Sequence, residues 1–178
     1  WYLGSDEVKP ATLAGLHQHL GQVEDALLWL DRASDSDTPE RRIMRAELLE
    51  TTGELAEAQT IARVLIEDGA HTERALNVLI RTLPADAPNS EIAPYAKHAT
   101  AAQMVILGHR AWHHDEAAEA VSYFANSTNL RPLDTASQMV LVQALRAVDR
   151  DLEARSALVT LVADHGLLPQ ISALLAQN

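Results

Sequence analysis

Four acidic–alanine pairs constrain what this chain can fold into: Asp25 and Ala26, Glu57 and Ala58, Glu119 and Ala120, Glu153 and Ala154. The alanines are 32, 62 and 34 positions apart, and 62 is twice 31, so one further unit fits in the wide gap. Five residues before each alanine stand Gly21, Gly53, Asp115 and Asp149, residue types suited to a tight turn. Twelve before stand Ala14, Ala46, Gly108 and Val142, small or modest in size. Leu30, Ala62, Phe124 and Leu158 lie four after, and Ala33, Leu65, Ser127 and Leu161 seven after. A unit of this size cannot bury an apolar face alone, so the pattern predicts hairpins stacked on a shared core. The small residues let helix axes approach to roughly 8–10 Å.

The local patterning is helical. Leu13, Leu16 and Leu20 recur at i, i+3 and i+7, and similar stripes run through Leu76, Leu79 and Leu83 and through Leu158, Leu161 and Val162. Gly21, Pro39, Gly53, Gly69, Pro132 and Gly166 fall between stripes, where short turns are needed. The fold class is therefore all-α. The units expected are 7–38, 39–70, 71–100, 101–134 and 135–166, with a terminal helix over 167–178. The third is the irregular one. Pro84 to Pro88 reads as the longest loop, and Ser90 with Glu91 as a helix start whose first turn loses a bond at Pro94.

The spacing, with Leu107, Gly108, Ala120, Tyr123, Phe124 and Leu130 to Pro132 in the fourth unit, resembles the tetratricopeptide repeat family. Leu13, Ala14, Gly21, Ala26 and Ala33 carry the likeness in the first unit. The second and fifth match more loosely, and the family's Trp–Leu–Gly–Tyr signature is degraded. The resemblance spans about nine-tenths of the chain. It implies a right-handed superhelical solenoid of about five helix-turn-helix units.

Charge narrows the partners. Lysine and arginine number 14 against 25 acidic residues, a net charge of −11, the opposite of a nucleic-acid footprint and unfavourable for anionic membranes. No apolar run is long enough to insert into a bilayer. A hydrophobic fraction of 47% suits a folded domain rather than a solvated acidic tail. The absence of cysteine excludes disulfides and thiolate chemistry, and is compatible with cytoplasm or periplasm alike. A first residue that is Trp rather than Met suggests a piece of a longer protein. The alanine- and arginine-rich, lysine-poor composition looks bacterial.

Chemistry-bearing patterns are sparse. His109 and His113 have the i, i+4 spacing of metal ligands, but no third ligand or HExxH motif accompanies them. A polar cluster at a helix end is expected there instead of a metal. No nucleophile elbow and no phosphate-binding glycine loop is present. The expectation is a protein without enzymatic activity, cofactor or metal.

The resemblance implies a different site, a concave groove lined by the first helix of each unit. By register its positions are Gln18 and His19, Glu47 and Glu50, then His109, Trp112 and His113, then Gln143 and Arg146. Trp112 is the expected anchor, since tryptophan and arginine dominate interface energetics; its competing role is packing against the irregular third unit. Glu47 and Glu50 suggest a ligand with basic or polar groups. Lys9 and Lys97 miss the positions with which some family members clamp a C-terminal carboxylate. The function expected is a scaffold binding a peptide or helix of a partner protein. The alternative is a spacer or homo-oligomerising segment of a larger assembly, such as a bacterial envelope or polysaccharide-export machine.

Overall fold

A computed structural model describes residues 9–32, 37–166, 169, 171 and 172. Among these residues the chain forms nine α-helices of defined extent, with further helical residues after the ninth, and no strand. The backbone gathers into two compact units, Trp1–Pro84 and Ala85–Asn178. The first contains α1 (Pro10–His19), α2 (Val23–Arg32), α3 (Pro39–Thr52), α4 (Leu55–Glu67) and α5 (Thr72–Thr82). The second contains α6 (Ala101–His113), α7 (Ala117–Thr128), α8 (Thr135–Ala147) and α9 (Asp151–His165). Consecutive helices pack as hairpins, α1 on α2, α3 on α4, α6 on α7 and α8 on α9. The first helices of the hairpins also touch the next helix of the same place in the repeat: α1 with α3 and α3 with α5 in one unit, α6 with α8 in the other.

Each hairpin is turned by the same backbone device. Gly21, Gly53, Asp115 and Asp149 all have positive φ, at 71°, 86°, 59° and 59°. The next residue's N–H reaches back five positions to a first-helix carbonyl at 2.9 Å in all four turns: Gln22 to His17, Glu54 to Leu49, Glu116 to Ala111 and Arg150 to Leu145. The turn residue's own N–H donates to the carbonyl three positions back, at 3.0 to 3.3 Å. This is the Schellman arrangement, which satisfies carbonyls that a helix end would leave open. The carbonyl after the turn then accepts the N–H of Ala26, Ala58, Ala120 or Ala154, so one turn closes the first helix and opens the second. No side chain caps the start of α4, α7 or α9. Three of the helices that begin a hairpin are capped by side chains instead: Thr38 on α3, Thr100 with Gln103 as a capping box on α6, and Asp134 on α8; α1 opens on Pro10 without one.

The core follows the small-residue lattice. Ala26, Ala58, Ala120 and Ala154 are fully buried, as are Ala14, Ala46 and Val142 at the facing position. Gly108 fills that position in the third hairpin because its partner is the largest: a Cβ there would lie 2.9 Å from the Phe124 ring. Leu65, Ser127 and Leu161 are buried seven positions after their alanines, whereas Ala33 lies outside the described residues. Of the expected terminal helix, Pro169, Ile171 and Ser172 are helical and Ile171 is buried; the remainder, with the first eight residues, lies outside the described residues.

The expected third unit is not a helical hairpin. After α5 the chain forms two 3-10 segments, Asn89–Glu91 and Ala93–His98, where a second helix would stand. The α-helix expected from Ser90 is replaced because Pro94 has no N–H to give and disfavours an α-helical Ala93 before it, while Pro88 fixes the entry. The segment still anchors inward through Ile92.

The Gly108–Phe124 crossing sets two effects against each other. Alanine is the better helix former by about 1 kcal/mol, but overpacking costs about 1–3 kcal/mol. Gly108→Ala is expected to destabilise the second unit in urea unfolding, and Phe124→Leu in the same chain to recover part of the loss. Additive effects of the two changes would contradict the packing account.

Candidate functional site

In the first unit the first-helix face is crossed by ion pairs. Arg74 donates from Nε and Nη2 to the two carboxylate oxygens of Glu47, at 2.9 and 2.7 Å. Arg81 grips Glu50 in the same way, at 2.5 and 2.8 Å. Gln18 of α1 donates to Glu47 at 3.4 Å, and His71 bonds Glu40 at 3.2 Å. α1, α3 and α5 are thus joined by a polar ladder. The Glu47 and Glu50 side chains are only 22% and 20% exposed, so each carboxylate is largely enclosed by its guanidinium and neighbouring helices. A basic ligand at this face would have to displace an arginine. His19 is exposed at the end of α1.

In the second unit, His109 is a structural residue as well as a face residue. Its Nε2 and Ser137 Oγ share a hydrogen bond of 2.9 Å that ties α6 to the first turn of α8. The ring meets Phe124 edge-on, with centroids 5.3 Å apart and planes at 88°. Ser137 is fully buried, and its N–H donates to Asp134 at 2.8 Å. Burial holds the His109 imidazole below its ordinary pKa; Asp134 acts against that, and His113 reinforces it. Hydrogen bonding to the Ser137 backbone lowers the Asp134 carboxyl.

Trp112 is half-buried and His113 exposed on α6, with Gln143 and Arg146 half-buried on α8. Since α6 and α8 touch, this hairpin pair brings these residues onto neighbouring first helices. Among the described residues no three His, Cys, Asp or Glu side chains are grouped as a metal site. No helix there is long and apolar enough to cross a membrane. Comparison with protein-family models, curated proteins and solved structures returns no match.

The ladder arginines were not among the expected site residues. A signal for one existed: Glu50 to Arg81 and Glu40 to His71 are each 31 positions, one repeat period, so Arg81 takes on α5 the place of Glu50 on α3, and His71 stands just ahead of α5. Glu47 to Arg74 is 27 positions, one helical turn short of the period, and the period alone does not reveal it.

Two outcomes follow. Charge reversal at either end of the Glu50–Arg81 pair should destabilise the first unit by about 1 kcal/mol, the upper range for half-exposed pairs. The exchanged double variant Glu50→Arg, Arg81→Glu should recover most of it in denaturant titrations, with the difference shrinking in high salt. For His109 the folded pKa lies below the ordinary value of 6.5, so its contribution is complete above that value. It is lost as pH falls from the unfolded toward the folded pKa, because the unfolded chain takes the proton first. Unfolding measured from about pH 7.5 to 5 should show this loss, and His109→Gln should flatten it.

Proposed function

We propose that this chain is a non-enzymatic, tetratricopeptide-like scaffold that binds a peptide or helix of a partner protein along its first helices. The observation that carries the reading is the side-by-side contact of α6 and α8, with Trp112, Gln143 and Arg146 left partly exposed on them. A half-exposed tryptophan, with an arginine on the adjoining first helix, has the chemistry of an interface anchor: large apolar area at low entropic cost, and a planar guanidinium on the same pair of helices. The net charge of −11 points to protein rather than nucleic acid as the partner. The repeated hairpin and its four equivalent turns support kinship with repeat scaffolds.

One feature favours a second role, as a spacer or self-associating segment. Leu152 and Val159 on α9 are 82% and 70% exposed. The matching places on the other second helices hold Glu24 and Asp31, Ala56 and Arg63, and Ala118 and Ala125. An outer helix face that carries large, exposed apolar side chains on α9 suits burial against another body.

A pull-down from source lysate, read by mass spectrometry, separates the two. A Trp112→Ala, Arg146→Ala variant with unchanged far-UV circular dichroism is expected to lose the partner, while Leu152→Glu, Val159→Glu retains it. Loss only with the α9 variant, together with its dissociation in sedimentation velocity, would overturn the groove reading in favour of the spacer.

A further inference from the structure

An apolar cleft of about 480 Å³ lies in the second unit, at the N-terminal end of the same α6 that carries Trp112. Ala102, Val105 and Ile106 form its α6 side, and Pro132 and Leu133 of the α7–α8 turn face them. Its volume falls within the roughly 300–1,000 Å³ range of ligand clefts. Ile106 is 48% exposed although its neighbour Leu107 is fully buried, so a branched apolar side chain stands in water at this cleft.

The lip carries Arg131. In a chain of net charge −11, Arg42, Arg45, Arg74, Arg81 and Arg150 are each bound to carboxylates. Arg131 is exposed, and its guanidinium has no partner among the described residues. Its backbone is held, the N–H donating to the Ser127 carbonyl at 2.9 Å, so the side chain projects from a fixed turn. Asp134 also borders the cleft, but its carboxylate is engaged by the Ser137 N–H at the start of α8, where the helix dipole offsets its charge. The cleft therefore combines an apolar floor with a fork-shaped cation that no described residue engages.

We propose that this cleft is a specificity pocket for a partner-protein segment in which an apolar side chain adjoins an aspartate or glutamate. The apolar side chain covers Ile106 and the acid pairs with Arg131. The assignment rests on the groove reading above and extends it to the sequence that is recognised. An arginine on an apolar rim gains little from attraction in water but discriminates strongly against a like charge, so it acts as a selector.

The test is selection from a phage-displayed random peptide library against the intact chain, with affinities of the enriched peptides measured by fluorescence polarisation. The wild type is expected to enrich an apolar residue beside an acid, with binding weakened by salt. Arg131→Glu should weaken such a peptide by about tenfold and should itself select lysine or arginine at the acidic position. Ile106→Ser, at a half-exposed position of α6 and checked for unchanged far-UV circular dichroism, should weaken it by a similar factor. A consensus without an acid, an Arg131→Glu consensus that is unchanged, or no enrichment would overturn the proposal. Peptides that depend on Trp112 but not on Ile106 or Arg131 would sink the pocket while leaving the groove reading in place. Loss of lysate capture in the Trp112→Ala, Arg146→Ala variant reports on that reading separately.

Discussion

The turn inside each hairpin is the constraint on which the other features rest. A residue with positive φ reverses the chain, and two backbone hydrogen bonds on either side of it close one helix and start the next. Because α4, α7 and α9 receive no side-chain cap, the turn is what positions their first residues. It also fixes where the alanine of each pair falls, one turn into the second helix and against a small residue of the first. Glycine does this at Gly21 and Gly53, and aspartate at Asp115 and Asp149, with the same long-range bond length of 2.9 Å. Aspartate tolerates the left-handed region better than most side chains, so the geometry survives the change of residue.

Crossing size varies around this fixed frame. Where the second helix presents Phe124, the first has Gly108; where it presents Leu30, Ala62 or Leu158, the first has Ala14, Ala46 or Val142. Only at the Gly108–Phe124 crossing is the limit visible, since a Cβ on Gly108 would lie 2.9 Å from the ring. The third unit departs from the pattern for a local reason, three prolines within eleven residues, from Pro84 to Pro94. An α-helix cannot run through them, and the chain takes short 3-10 turns that need fewer consecutive N–H donors.

The two units use their first-helix faces differently. In the first, carboxylates and guanidiniums neutralise one another across α3 and α5, which braces the helices and leaves Glu47 and Glu50 committed within the chain. In the second, His109 is drawn inward to Ser137 and Phe124, and the exposed chemistry passes to its neighbours: Trp112 and His113 toward the C-terminal end of α6, Ile106 toward its start. Sequence spacing placed these residues on one helix face without distinguishing a histidine that braces two hairpins from one that meets solvent. That distinction depends on Ser137, 28 residues away, being buried opposite it.

The sequence by itself determined the all-α class, four of the hairpins, the positions of their turns and the buried alanine lattice. These are consequences of short-range periodicity and of residues whose size or backbone preference acts locally. The capping box at Thr100 and Gln103 and the cap at Asp134 act over the same short range. Only the tertiary structure decided that Glu47 and Glu50 are paired with Arg74 and Arg81, that His109 is a brace, and that Arg131, unpaired among the described residues, stands beside an apolar cleft. Each depends on which side chain a neighbouring helix delivers across a few ångströms, and the period of the repeat fixes that only to within about one helical turn.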